Sequence, residues 1–571
     1  MIRLFQTHYV RQVTELEGLW DFIPLAPDEE IPAPGTVGYT YRLVVPGCWE
    51  QHPELASYRG RGAYRRMIQI DAITSLRFEF KGVSHTARVF FDGALIAEHY
   101  NAYTAFTAKV HDVQPGLHEL IVEVDNSFSA ASSLHIPNDY YTYGGLIRPV
   151  AMENIGDCTI EAIKFIPHSD QDGWKAHITA IIQNELEQKQ TVRLIGQLAS
   201  TKLDFGLIEV QPGVGSLTSV TQSFRFPDVR PWSAHDPQLY ELRLDLYDVK
   251  KELPVDDLVE RVGFRVVEVR NGSITVNNDP IYLKGFNRHE DHAIAGPSLP
   301  LSLMVADLEL MVGTGANAVR TSHYPNDERF LDLCDERGLF VWEENHARGL
   351  SLEQMSNPHF IRQCEAVNRE MVEQHINHPS IILWAVLNEC ASDSAGGREH
   401  YQRQMQQIRE LDASRPLTFA SHHREKEMCF DLADMVSVNL YPQWYTDEDP
   451  GELCDRIRAF AEENGGRGKP MIISEFGADG YYGFRSPIRV KGSEERQGDI
   501  LELNLAAYAS RPYVSGTFIW QFCDCRVTEA TGWLLTRAMV KNSKGIVDEY
   551  RRPKLAYDVV KKYYGCPSSR V

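Results

Sequence analysis

Between residues 281 and 522 the chain repeats one arrangement eight times: a short apolar run of strand character, then a polar or helical stretch. The runs are 281–288, 318–323, 339–345, 381–389, 416–422, 435–441, 470–477 and 515–522, with helical stretches such as 303–311, 358–375 and 399–411 between them. Strands alternating with helices build a parallel sheet, and eight such units are the number that closes a (β/α)8, or TIM, barrel. Chemistry in such a barrel sits at the C-terminal ends of the strands. The residues that end the runs include His289, His323, Glu344, Glu389, Tyr441, Glu475 and Trp520, a polar and aromatic set.

The sequence before the barrel has a different period. From the N-terminus to residue 159 apolar and polar residues alternate, as at 87–93 and 117–124, and a second alternating block runs to residue 267, with examples at 176–182 and 239–246. Alternation with turn residues between runs predicts β-sandwiches, and the second block has the length of one immunoglobulin-like sandwich. The expected domains are therefore 1–159, 160–267 and 268–571.

A formal charge of -21 argues against nucleic acid or an anionic membrane as partner, since phosphate contacts need a basic face. An anionic substrate would need a local basic exception. The first residues lack the apolar core of a signal peptide, no apolar run is long enough to span a bilayer, and a cytoplasmic enzyme is expected. The ten cysteines show neither metal spacing nor a disulfide framework.

Two of the runs, 384–389 and 472–477, lead an apolar strand straight into a glutamate with no local partner. A buried carboxylate must be desolvated, paired or employed. A pair of them suits glycosidic bond hydrolysis, in which one protonated carboxyl donates to the leaving oxygen and one carboxylate meets the oxocarbenium-like centre. Asn-Glu alone carries little weight, because Asn184-Glu185 ends an ordinary strand run.

Further motifs extend this pattern: Asn138-Asp139-Tyr140 with 143–149 (YGGLIRP), 284–291 (KGFNRHED) and 320–325 (RTSHYP). With these and the two glutamate strings the chain resembles glycoside hydrolase family 2 over essentially its full length. The resemblance implies a multidomain protein, with a jelly-roll β-sandwich, an immunoglobulin-like β-sandwich and a TIM barrel in that order. It implies Glu389 as general acid/base, Glu475 as nucleophile, a covalent glycosyl-enzyme intermediate and retention of configuration. Glu389 must meet substrate protonated, so the Glu475 charge and partial burial are expected to raise its pKa. Asn388 resembles the family amide that binds the sugar 2-OH.

Sugar choice is expected at Asn542-Ser543-Lys544, which resembles the Asn-x-Lys motif by which β-glucuronidases hold the C6 carboxylate. An amide donor and an ammonium two residues apart can converge on one carboxylate. Arg537 is a candidate second cation, with a surface arginine as the plainer alternative. By the same resemblance Asp139 reaches the sugar 4-OH, Tyr441 and Tyr445 contact the nucleophile or the sugar acid, and Trp520 floors the sugar site. His289 and His323 are expected to be hydrogen-bonded supports or sugar contacts. The 345–351 segment has no room for the long loop that covers the mouth in some bacterial relatives, and its Arg348 is a candidate to read an axial 4-OH, with a surface arginine as the equal alternative.

The expected activity is exo-hydrolysis of β-D-glucuronides, with β-galacturonides as the alternative and neutral β-galactosides disfavoured by Asn542 and Lys544. A sugar-binding protein on a dead barrel would have lost Glu389 or Glu475, and both are present. The expected partner is a small-molecule glycoconjugate or an oligosaccharide, with no cofactor and no metal, in a homo-oligomer, tetramer or dimer. His289-Glu290-Asp291-His292 is one residue short of the helical zinc spacing, and 465–470 lacks the hydroxyl of a phosphate loop and precedes a strand.

Overall fold

The computed structural model describes residues 3–36, 38–213, 215–250, 253–529 and 532–565. Eight parallel strands form the ring of the barrel: β1 (Leu283–Asn287), β2 (Ala318–Thr321), β3 (Phe340–Glu344), β4 (Ile381–Ala385), β5 (Leu417–Thr418), β6 (Val436–Asn439), β7 (Met471–Phe476) and β8 (Val514–Ile519). They are ordered β5-β4-β3-β2-β1-β8-β7-β6, and a parallel bridge between Ser421 and Val438 closes β5 onto β6. Every residue of β2, β3, β4, β7 and β8 is buried, which is why these runs are continuously apolar rather than alternating.

Two strands end earlier than their apolar runs. β4 stops at Ala385, and the chain then turns through Leu387 (φ 55°) and Glu389 (φ 53°), both in the left-handed region. Glu389 thus stands on an irregular extension, its N–H donating to the Ala420 carbonyl at 2.9 Å. β5 keeps only Leu417 and Thr418 in the regular ladder, because the following segment leaves β4 and rejoins the sheet at Ser421.

Two antiparallel sheets make the first sandwich, one of six strands and one of four, around Trp20, Phe22, Phe78, Phe80, Val89 and Val122. The second packs a three-stranded sheet against a four-stranded one around Ile160, Ile178, Leu194 and Leu244. Burial alternates along its strands, as in Thr201–Val210, in keeping with one solvated face. A small antiparallel sheet (Val267–Arg270, Ser273–Val276, Asp279–Ile281) leads directly into β1, and Val267, Ile274 and Val276 pack with Trp342, Leu383, Ile472 and Phe518 to fill that end of the barrel.

Buried ion pairs dock the first sandwich on the barrel: Lys81 meets Glu328 at 2.6 Å and Arg148 meets Glu290 at 2.7 Å. Arg3 ties Asp332 at 2.8 Å and Glu260 at 3.3 Å. This docking brings the 138–143 segment over the open end of the barrel.

Candidate active site

The mouth of the barrel holds a pocket of about 440 Å³ lined by Asp139, Arg348, Gly349, Glu389, His422, Arg424, Asn439, Tyr441, Tyr445, Glu475, Trp520, Trp533, Arg537 and Lys544. At its base Glu475 accepts from Arg320 Nη1 on Oε1 at 2.9 Å and from the Tyr441 hydroxyl on Oε2 at 2.8 Å. Arg320 is fully buried and spends its other donors on Glu344 (2.8 and 3.0 Å), Asn388 Oδ1 (2.8 Å) and Asn287 Oδ1 (2.9 Å). One guanidinium thus fixes Glu475 and the residue before Glu389.

Glu389 accepts from Asn439 Nδ2 at 2.8 Å, and Asn439 is itself held by the Ser474 hydroxyl at 2.7 Å. Arg348 Nη2 lies 3.3 Å from Glu389 Oε2 and 3.4 Å from Asp139 Oδ1. Asp139 also accepts from Arg537 Nη2 at 2.8 Å and Asn542 Nδ2 at 3.2 Å. Burial works against its ionisation, but Arg348 and Arg537 outweigh burial and bring the carboxyl to about 2. Lys544, 1% exposed, points Nζ at Asp479 Oδ2, 3.2 Å away, beneath the rings of Trp444 and Tyr445.

Residues 267–566 match "Glycosyl hydrolases family 2, TIM barrel domain" and residues 158–265 match "Glycosyl hydrolases family 2". The chain belongs to glycosyl hydrolases family 2. It is a glycoside hydrolase with the family's multidomain architecture. The chain is similar to a GH2 β-galacturonidase from Eisenbergiella tayi solved with galacturonate, at 43% identity and TM-score 0.93 over 99% of both chains. It is also similar to a β-glucuronidase of Faecalibacterium prausnitzii, at 25% identity and TM-score 0.85 over 99% of both chains. A curated β-glucuronidase of Streptococcus agalactiae is 27% identical over 97% of this chain and 96% of its own length.

In this family 2 hydrolase the expected site residues separate into wall and support. Glu389, Glu475, Asp139, Tyr441, Tyr445, Trp520, Arg348, Arg537 and Lys544 line the pocket. Asn542 stands behind it on Asp139, and Asn388 stands on Arg320 with its buried Nδ2 donating to no acceptor among the described residues. His289 and His323 are behind Trp520: the His323 ring stacks on the indole at 4.9 Å and His289 meets it edge-on at 5.4 Å. Burial first, then neighbouring arginines, lowers both imidazoles, His289 to about 3, so they are neutral supports. Arg348 and Arg537 are not surface arginines; both turn inward to Asp139.

The expected raising of the Glu389 carboxyl is corrected. Burial works to raise the Glu389 carboxyl, but Arg348, then His422 and the Asn439 amide, hold it below the ordinary glutamate range. Burial, and after it the charge of Glu389, raises Glu475 to about 8 against the pull of Arg320, Tyr441 and Arg348. Sequence reasoning missed that arginine's effect because Arg348 comes from the loop after β3, remote in sequence from Glu389.

Arg320, Asn439, His422, Arg424, Asp479 and Trp533 were not anticipated as site residues. Arg320 opens the 320–325 motif and Asn439 lies near the end of the 435–441 run, and an arginine or asparagine at the end of an apolar strand is the available signal. The histidine-rich 289–292 string is spent on structure: Glu290 pairs with Arg148, while Asp291 accepts from the Tyr143 hydroxyl at 2.8 Å and the Arg526 N–H at 2.7 Å.

Proposed function

We propose that this enzyme is a retaining exo-β-hexuronidase that hydrolyses β-D-glucuronides. The observation that carries the reading is Lys544, a buried ammonium in an acidic protein, opening on the pocket with Arg537 beside it and facing Asp479. A sugar C6 carboxylate adds a charge-assisted pair to that arrangement, which a neutral hydroxymethyl group cannot supply.

Glu475 attacks C1, with Arg320 and Tyr441 holding its oxygens in place, and Glu389 delivers a proton to the leaving oxygen. Sugar binding must therefore offset the pull of Arg348 that holds the Glu389 carboxyl below the ordinary range. Contact of the sugar with Arg348 and exclusion of water both weaken the hold that keeps Glu389 ionised. Once Glu475 is esterified its charge is gone, and Glu389 as a carboxylate takes the proton of the incoming water. Asn388 Nδ2 donates to the 2-OH, and Trp520 covers the apolar face of the ring.

A second reading, in which β-galacturonide is the better substrate, is favoured by the 43% identity to the Eisenbergiella tayi enzyme and by Arg348, whose guanidinium joins Asp139 to Glu389. The test is kcat/KM on nitrophenyl β-glucuronide, β-galacturonide and β-galactoside. Either uronide should exceed the galactoside by at least roughly a hundredfold, about 3 kcal/mol. A galactoside turned over as well as the uronides overturns the reading. A 2-fluoro uronide should leave a covalent adduct on Glu475, visible as added mass on its peptide.

We also place the enzyme in the cytoplasm as a homo-oligomer. No helix among the described residues is long and apolar enough to cross a membrane, and the described cysteines are buried free thiols, as a reducing compartment favours. Light scattering checks the assembly, with a mass of one chain the contrary result.

A further inference from the structure

The side of the pocket beside Glu389 carries a cation that recognition of the uronic acid does not use. Arg424, on the loop after β5, lines the pocket with its side chain 29% exposed. Its backbone lies in the left-handed region at φ 53°, a conformation that costs an arginine free energy and is retained where the surroundings fix it. Nη1 donates to Glu448 Oε2 at 3.1 Å. Glu448 also accepts from Thr446 and Arg456, so it orients Arg424 while its charge is shared.

Position around the ring says what Arg424 faces. β5 neighbours β4, which leads into the general acid, whereas Asn542 and Lys544 follow β8, three strands further round through β6 and β7. His422, two residues before Arg424, brings Nδ1 to 3.9 Å from Glu389 Oε1. A proton from Glu389 goes to the leaving oxygen, so groups beside Glu389 and remote from Lys544 border the leaving group. On a chain of formal charge -21, this pocket sets Arg348, Arg424, Arg537 and Lys544 against Asp139, Glu389 and Glu475. Arg348 and Arg537 grip Asp139, and Lys544 faces Asp479.

Resting on the hexuronidase reading, we propose that Arg424 is the anion-recognising element of the leaving-group subsite. The substrate is then an acidic oligosaccharide, a terminal hexuronic acid on a sugar that bears a carboxylate or a sulfate ester. A guanidinium presents paired donors that fit either anion. The short 345–351 connection, which runs directly to the helix Leu352–Met355, leaves the mouth open to such a second sugar.

The test compares kcat/KM on disaccharides with one terminal hexuronic acid and a neutral hexose, a hexuronic acid or a sulfated hexose as the leaving sugar. The wild type should prefer an acidic leaving sugar by roughly tenfold or more, with the preference falling in high salt. The better of the two acidic arms identifies the anion. Arg424→Asn, which suits a left-handed backbone, should bring the acidic-to-neutral ratio close to one. Arg424→Lys should retain part of it and covers a failure of the asparagine variant to fold. Equal turnover of neutral and acidic disaccharides by the wild type, or a ratio unchanged in the variants, overturns the proposal while hydrolysis of nitrophenyl uronides leaves the hexuronidase standing. No hydrolysis of any uronide overturns both.

Discussion

Arg348 and Glu389 form an ion pair at 3.3 Å across the wall of the pocket, and the same Nη2 reaches Asp139 at 3.4 Å. The guanidinium that lines the pocket therefore also holds the Glu389 carboxyl below the ordinary glutamate range. Arg348→Ala removes a positive charge from a site that holds two coupled carboxyls, so both limbs of the kcat/KM pH profile should move to higher pH. The rate itself should fall by about 2–4 kcal/mol in transition-state terms, because Asp139 and the sugar lose a partner. An unshifted profile would separate Arg348 from the ionisation of Glu389.

Lys544→Ala leaves Asp479 facing the pocket with its near ammonium gone. Uronide kcat/KM should drop by roughly 3 kcal/mol, while a nitrophenyl galactoside, with no carboxylate to seat, should lose far less. Measuring the two substrates on one preparation checks this directly, and equal losses would remove Lys544 from uronate recognition.

Arg320 is the buried junction of Glu475, Glu344, Asn388 and Asn287. Its replacement by alanine leaves two carboxylates buried without their shared cation, which should cost about 3–5 kcal/mol of stability as well as activity. Lysine keeps the charge but cannot fork to four partners, so Arg320→Lys should recover stability in a thermal melt more fully than it recovers kcat.

Glu50 lies away from the sugar, where the 138–143 segment docks, and accepts the Gly144 N–H on both oxygens at 3.1 Å. Burial, opposed by these backbone donors, raises its carboxyl to about 8. A raised folded-state value means stability that is fully present below about pH 4.5 and is lost as pH climbs to about 8, where the folded protein also ionises. Glu50→Gln stays neutral throughout. The variant should match wild type in apparent Tm at pH 4 and exceed it progressively up to pH 8, the stability gap widening by at most about 1.4 kcal/mol per pH unit.

The barrel was legible because its strands are buried on both faces and so leave unbroken apolar runs, each ending in a side chain that needs a reason to be there. Glu389 and Glu475 were found that way. The left-handed backbone at Glu389 left no such trace, since Asn-Glu reads the same in a regular strand end. Arg348 and Arg537 stood open between the sugar site and the surface because an arginine's destination depends on which carboxylate folding brings near, and theirs is Asp139 from another domain. The direction of the Glu389 shift differs from expectation for the same reason: local sequence shows the carboxyl but not the arginine that folding brings beside it.

Asp139 is delivered to the barrel by the first sandwich and clasped there by Arg537 and Asn542. The wall of the pocket is in consequence a property of how two modules mate, and the barrel alone does not carry it. A loosened sandwich would present itself to a kineticist as an altered KM long before it presented itself to a calorimeter as an altered melt.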